Sequence, residues 1–176
     1  MTEQAIIQGC KQDDPKAQEA FYARFAPKMF GVCRRYIKRY EEAEDLLIEG
    51  LFKALDKIHT YSGNGSFEGW IRRIVVNECL MFLRKKTPLS VSIEVHPTDA
   101  PTNMNIEDEL AAQDILALLD QLPTGYRTVF NLYVIEGYKH REIAEMLKIS
   151  INTSKSQLIL AKKRMRKLLE ELEYLR

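Results

Sequence analysis

The sequence has few of the residues that metal sites, disulfides and many catalytic centres require. Among its 176 residues there are three cysteines and three histidines, and they are dispersed along the chain. Without a CxxC motif or a Cys/His pair, the cysteines predict neither a disulfide framework nor a zinc site. No nucleophile, general base or metal-ligand set assembles from the histidines. We therefore expect a protein that is not an enzyme and that has no cofactor, no metal and no small-molecule substrate.

The sequence also lacks an apolar run of about 18 residues and any stretch that resembles a signal peptide. We therefore expect a cytoplasmic protein with reduced thiols. Strand-like alternation is scarce, whereas apolar residues recur at the three- and four-residue spacing of amphipathic helices. The apolar fraction of 45% suits globular helical modules. Together these features predict an all-α fold.

The sequence also has almost no excess of positive or negative charge, because the formal net charge is only +1. By itself this argues against a generic nucleic-acid-binding protein. The charges are unevenly distributed, however. Residues 1–86 carry 15 basic and 12 acidic side chains, residues 87–120 carry seven acidic and no basic ones, and residues 121–176 carry 11 basic and six acidic ones. This order favours two DNA-facing modules on either side of an acidic segment.

Breaks in helical periodicity divide the chain into two small helical domains. Prolines at positions 88, 97 and 101 lie in a stretch without periodicity, so we expect a flexible linker at 87–105 between domains 1–86 and 106–176. In the first domain, Asp14 and Pro15 are a good N-cap and first residue for a helix that reaches about Phe25. The other helices are predicted at 2–12, 42–59, 67–86, 106–121, 124–136, 139–147 and 150–173.

The segment from His140 to Lys167 is predicted to form two helices joined by a tight turn. Ser150 is the expected N-cap of the second helix, and one apolar stripe contains Ile151 and Leu158. From residue 151 to 167 there are six basic side chains and no acidic one. A short helix that supports a longer basic helix is typical of a DNA-binding helix-turn-helix. The alternative is an ordinary amphipathic hairpin with a solvated basic face.

Two separated blocks of the sequence, in the right order, resemble the extracytoplasmic-function (ECF) group of bacterial RNA polymerase sigma factors, in the sigma-70 family. The first block is EEAEDLLIEGLFKAL (41–55) followed by SFEGWIRRIVVNECLMFLRKK (66–86). The second is LPTGYRTVFNLYVIEGYKHREIAEMLKISINTSKSQLILAKKRMRKL (122–168). The resemblance implies two domains that bind core RNA polymerase and promoter DNA, and it also implies an anti-sigma partner.

The resemblance assigns roles to residues of the first block. Asp45 and Glu49 would belong to the polar surface that meets the polymerase clamp. The family uses the loop equivalent to residues 60–66 to hold a base flipped out of the minus-ten strand, and the helix that follows to hold the displaced strand. The residues that this implies for minus-ten binding are Tyr61, Asn64, Arg72, Arg73, Asn77, Arg84 and Lys85.

In the second block, side chains near the start of the recognition helix would reach base edges of the minus-thirty-five element. We expect Asn152, Thr153, Ser156 and Gln157 to face away from the Ile151/Leu158 stripe and to contact bases. The phosphate-contact candidates are Lys155, Lys162 and Lys163. Gln157 stands where the family commonly has arginine, and its amide could pair with adenine. Ser154 stands in a usually apolar position, where its hydroxyl would weaken packing.

Two functions compete for this sequence. The first is a sigma factor that recognises the minus-thirty-five and minus-ten elements and promotes transcription initiation. The alternative is a free-standing helix-turn-helix regulator with an N-terminal helical effector or dimerisation domain. The regulator would bind duplex DNA tightly without polymerase, as a dimer on a palindrome.

Overall fold

The fold is described by a computed structural model that covers residues 1–86 and 112–173. The chain divides into two compact units, the first ending at Leu83 and the second beginning at Arg84. Within the described ranges every regular element is helical. The predicted all-α class with two small helical domains is therefore confirmed. The expected linker at 87–105 and the first residues of the helix predicted at 106–121 lie outside the described residues.

The first unit contains four helices, the last of which extends three residues past the unit boundary, and a short 3₁₀ turn at Ile58–Thr60. The helices are α1 (Glu3–Lys11), α2 (Pro15–Tyr36), α3 (Tyr40–Asp56) and α4 (Phe67–Lys86). The predicted N-cap at Asp14 is confirmed, because its carboxylate accepts from the Lys16 N–H at 3.1 Å. The Ser66 hydroxyl likewise accepts from the Gly69 N–H at 2.9 Å. Each cap satisfies a backbone donor that the first helical turn leaves unpaired.

Helix α2 does not end near Phe25 but continues through Pro27 to Tyr36. A proline inside a helix removes one backbone hydrogen bond and crowds the carbonyl four residues earlier. Here the flanking residues Ala26 and Met29 are buried at 7% and 0% exposure. The burial of apolar side chains on both sides of the proline offsets its local cost, so the expected end of the helix was wrong.

An aromatic cluster forms the centre of the first unit. Phe67, at the start of α4, has its ring centroid 5.4 Å from that of Phe25, 5.0 Å from that of Tyr61 and 5.7 Å from that of Trp70. Phe67 is 0% exposed. These contacts connect α2 and α4 with Tyr61, so the 61–66 loop is anchored to the core at its first residue while residues 62–66 are exposed. All three cysteines of the chain are buried free thiols.

Two ion pairs connect α4 to neighbouring helices. The Lys28 ammonium of α2 lies 2.6 Å from the Glu68 carboxylate, and the Lys53 ammonium of α3 lies 2.6 Å from the Glu78 carboxylate. The Glu78 side chain is only 12% exposed, so water screens the second pair less than an ordinary surface pair. Gly50 of α3 permits the close approach of α4, since a Cβ there would lie 2.9 Å from a Val75 methyl carbon.

The second unit contains α5 (Ala112–Asp120), α6 (Thr124–Phe130), α7 (His140–Leu147) and α8 (Ile151–Glu173). The helix predicted at 124–136 changes to π-helical geometry at Asn131–Ile135. Between α7 and α8 the chain turns at Lys148, whose φ of 56° is left-handed, and the predicted cap is confirmed because the Ser150 hydroxyl accepts from the Thr153 N–H at 2.9 Å. Among the described helices, none has the length and apolar character that crossing a membrane requires.

We expect Phe67→Ala to lower the free energy of unfolding of the first unit by about 3–5 kcal/mol, because it leaves a cavity at the centre of the aromatic cluster. The matched control is Phe52→Ala, since Phe52 is 73% exposed and its loss should change stability by no more than about 0.5 kcal/mol. Denaturant unfolding of both variants measures the difference. Equal effects would contradict the assignment of Phe67 to the core.

Candidate nucleic-acid interface

Helix α8 has one buried side and one presented side. The buried residues recur at three- and four-residue intervals and are Ser154, Gln157, Leu158, Ala161, Met165 and Leu168, each at most 6% exposed. Ile151, which the sequence placed on this stripe, is instead 43% exposed. At the first turn of α8 the buried positions are therefore occupied by polar side chains.

Gln157 does not face away from the apolar stripe, so the predicted orientation was wrong. Its side chain is 6% exposed and packs against the start of α6. A Cβ atom on Gly125 would lie 2.8 Å from the Gln157 Oε1 atom, which means that Gly125 supplies the space for the amide. In this position Gln157 contributes to packing between α6 and α8 and is not available to a base edge.

Ser154, whose hydroxyl was expected to weaken packing, is fully buried and has a polar partner. Its Oγ atom lies 2.9 Å from Nδ1 of His140 at the start of α7. The His140 ring also stacks on Tyr133, with centroids 4.5 Å apart and planes at 24°. His140 itself is half-buried. In the sequence, the only indication of the contact between His140 and Ser154 was the serine in a usually apolar position.

Three causes lower the pKa of the His140 imidazole from its ordinary value. Burial is the largest, and the positive charges of Lys155 and Lys162 add to it. All three disfavour the protonated ring. Lys162 is half-buried, and its ammonium lies 6.0 Å from the centroid of the Tyr133 ring. Two basic residues of α8 therefore act on the imidazole that connects α7 to α8.

The presented side of α8 carries most of the expected DNA contacts. Asn152, Lys155 and Lys163 are exposed, whereas Thr153 and Ser156 are half-buried. The Thr153 hydroxyl lies 2.8 Å from that of Ser150, and the Ser156 hydroxyl donates to the Thr153 carbonyl at 3.1 Å. The two hydroxyls are thus engaged within the first turn, while Asn152 and Lys155 extend from it.

In the first unit, the exposed side of α4 forms a single stripe. Arg73, Asn77, Met81 and Lys85 recur every four residues and are all exposed. Residues at this spacing lie on one face of a helix. Arg72 and Arg84 are half-buried beside it. The stripe thus brings together three of the seven predicted minus-ten residues.

The loop between α3 and α4 holds the other two predicted minus-ten residues. Asn64 is exposed. Tyr61 is half-buried: its hydroxyl donates to the Gly65 carbonyl at 2.8 Å, and its ring packs on Phe67 and Trp70. Gly63 and Gly65 have φ angles of 82° and 85°, which favour glycine. The loop borders a groove of about 430 Å³ lined by Glu3, Gln4, Ile7, Gln8, Lys11, Tyr61, Ser62 and Gly63.

Helix α3 presents the predicted polymerase-binding residues. Asp45 and Glu49 are both exposed. Beside them lie two apolar side chains, Ile48 at 56% and Phe52 at 73% exposure. The outer surface of α3 is therefore mixed, with carboxylates beside exposed hydrophobic groups. Within the described part of the chain, no group of three or more His, Cys, Asp or Glu side chains could hold a metal ion.

We expect Gly125→Ala to lower the stability of the second unit by about 1 kcal/mol, because the added methyl group displaces the buried Gln157 amide. In a Gln157→Ala background the same substitution should cost much less, since the atoms that it meets are gone. Denaturant unfolding of the two single variants and the double variant gives the coupling free energy. Additive effects would contradict the proposed contact.

Comparison with known proteins matches both units to one family. The family model described as Sigma-70 region 2 matches residues 21–88, and that described as Sigma-70, region 4 matches residues 112–165. The RNA polymerase sigma factor SigV of Bacillus subtilis is 32% identical over 131 residues, which cover 74% of this chain and 78% of the relative. The ECF RNA polymerase sigma-E factor of Haemophilus influenzae is 26% identical over 176 residues, which cover 92% of each chain.

Two solved structures share the fold. CnrH, in complex with the cytosolic domain of CnrY, has a TM-score of 0.52 and 16% identity, and the match covers 96% of this chain and 97% of that one. The sigma factor RpoE of Bartonella quintana, in complex with the anti-sigma factor NepR, has a TM-score of 0.54 and 22% identity, and the match covers 86% and 96%. The family predicted from the sequence is confirmed: this chain belongs to the ECF group of the sigma-70 family of RNA polymerase sigma factors.

Proposed function

We propose that this sigma factor binds core RNA polymerase, recognises the minus-thirty-five and minus-ten promoter elements with its two units, and promotes transcription initiation without catalysing a reaction itself. The single observation that carries this proposal is the presence of a separate polar and basic helix surface in each unit, on α8 and on α4. A duplex-binding regulator needs only the first of these surfaces.

On α8, Asn152 and Lys155 are the strongest candidates for contact with the minus-thirty-five element. Both are exposed at the N-terminal end of the helix, the end that reaches base edges in a helix-turn-helix. The Asn152 amide can pair with a base edge, and the Lys155 ammonium can meet a phosphate. Thr153 and Ser156 supply hydroxyls in the same turn, while Lys162 and Lys163 would contact backbone further along the helix. Gln157 has no part in base reading.

On α4, the exposed stripe is suited to binding an unpaired DNA strand. Arg73 and Lys85 can neutralise phosphates, and the Asn77 amide between them can meet a base. Arg72 and Arg84 would add to the positive charge beside the stripe. In the adjoining loop, Asn64 can reach a flipped base, while Tyr61 supports the loop and presents only part of its ring. Strand opening would then be driven by tighter binding of the unpaired strand than of duplex, without ATP.

On α3, the exposed carboxylates Asp45 and Glu49 would meet core polymerase, together with the neighbouring Ile48 and Phe52. Large exposed apolar side chains beside charges are typical of protein–protein contact surfaces. We also propose that an anti-sigma protein regulates this chain. This rests on the description of the similar RpoE as a complex with an anti-sigma factor.

The experiment that tests the function combines this protein with core polymerase on a genomic promoter library. We expect transcription to start at a defined set of sites only when both components are present, and the protein alone to bind those duplexes weakly. Tight, specific binding to a palindromic duplex without polymerase would instead establish the regulator.

Two substitutions on α8 separate base reading from phosphate contact. We expect Asn152→Ala to change the preference among minus-thirty-five variants, by about 1–3 kcal/mol at one position. We expect Lys155→Ala to weaken binding to every sequence alike and to reduce the salt dependence by about one charge. Initiation rates on a set of promoter variants at several salt concentrations measure both.

Lys16→Ala is the matched control for these variants, because Lys16 is an exposed lysine of the first unit. It should leave both promoter preference and salt dependence unchanged. A uniform loss of activity in Asn152→Ala across all promoter variants would refute base reading by that residue.

A further inference from the structure

The contact between His140 and Ser154 is a polar connection inside the helix-turn-helix that the proposed function does not use. The His140 Nδ1 atom lies 2.9 Å from the Ser154 Oγ atom, and Ser154 is 0% exposed. A serine in an apolar interior is costly unless its hydroxyl is hydrogen-bonded. The histidine supplies that bond from the first residue of α7.

A second contact fixes the same imidazole from another direction. The ring stacks on Tyr133 in the segment between α6 and α7, with centroids 4.5 Å apart. His140 is therefore held by two different elements, and through Ser154 it holds the first turn of α8. Thr153 and Lys155 are the immediate neighbours of Ser154 in that turn, so a displacement of the serine would displace both.

The charges around the ring are mainly positive. Lys155 and Lys162 of α8 are the charges that act on it, and Tyr133 adds an aromatic face. On α7 itself, Arg141 and Glu142 are both exposed, and the Glu142 carboxylate accepts from the Lys139 backbone N–H at 2.7 Å. Burial and the two lysines lower the pKa of His140 below its ordinary value, which disfavours the protonated ring in the free protein.

We propose that His140 is a positioning residue for the DNA-contacting turn of α8, and that it takes up one proton when phosphates of duplex DNA bind Lys155 and Lys162. This inference rests on the proposed role of α8 in DNA binding. Phosphates beside the two lysines offset their repulsion of a protonated ring. The Ser154 hydroxyl can either donate or accept a hydrogen bond, so the contact persists in both protonation states.

The test follows the ring protons of His140 by NMR in the full chain as pH is changed, with and without a mixed-sequence DNA duplex at low salt. We expect the duplex to raise the pKa of His140. We also expect the affinity for the duplex to rise roughly threefold to tenfold between about pH 7.5 and about pH 5.5, as one linked proton permits. A His140 titration that the duplex leaves unchanged would overturn the proposal.

Three variants distinguish proton uptake by His140 from its positioning role. His140→Gln keeps a group that can bond Ser154 but cannot titrate, so its affinity at pH 7.5 should stay near the original value and no longer rise at low pH. His59→Gln is the matched control, because His59 is an exposed histidine of the first unit, and it should keep the rise. His140→Leu should bind more weakly at every pH, and its thermal unfolding shows whether the unit still folds.

If His140→Gln kept the full rise at low pH, or if His140→Leu folded and bound like the original protein, the inference would be wrong. Initiation with core polymerase distinguishes this from a failure of the proposed function. A protein that initiates at defined promoters but shows no linked proton refutes only the role of His140. A protein that never initiates refutes the proposed function itself.

Discussion

The second unit depends on one constraint: a single helix, α8, has to be buried along one side and exposed along the other. Because side chains advance by about 100° per residue, the two sides alternate within every turn. At the first turn Ser154 is buried and Lys155 is exposed. Any displacement of the buried residue would therefore move the presented one. The contacts of Ser154 with His140 and of Gln157 with Gly125 therefore fix the orientation of the exposed residues of α8.

The first unit meets the same constraint on α4. Ile71, Val75, Cys79 and Leu83 are buried at four-residue intervals, while Arg73 and its exposed stripe follow the opposite side. The buried side is held by close packing at Gly50 and by the Lys53–Glu78 ion pair. The aromatic cluster at Phe67 anchors the loop that precedes α4. Each unit is thus a small core that fixes one polar helix surface, and a promoter with two elements requires two such surfaces.

Most of this architecture could be predicted from the sequence because it depends on local signals. The caps at Asp14 and Ser66 and the Ser150 turn follow from the hydrogen-bonding of short polar side chains. The spacing of apolar residues gave the helices and the division into two domains. The family resemblance assigned a role to each block, which the periodicity of apolar residues alone does not predict.

The predictions that were wrong concern contacts between distant parts of the chain. Gln157 is polar and was assigned to the surface, yet Gly125 in another helix makes room for its amide. Ile151 is in phase with the apolar stripe but is 43% exposed. The second helix was expected to end near Phe25, but buried residues on both sides of Pro27 keep it continuous to Tyr36. In each case tertiary packing determined the burial or the conformation of the residue, and the residue type alone did not predict it.

We propose that the two surfaces act together on one promoter through polymerase. The test is the permanganate reactivity of unpaired thymines in a promoter bound by core polymerase and this protein without ATP. We expect reactive thymines around the start site, and their loss when Arg73→Ala and Lys85→Ala neutralise the exposed stripe of α4. Reactive thymines that persist in that variant, or duplex that stays closed with the original protein, would show that the two surfaces do not act in this way.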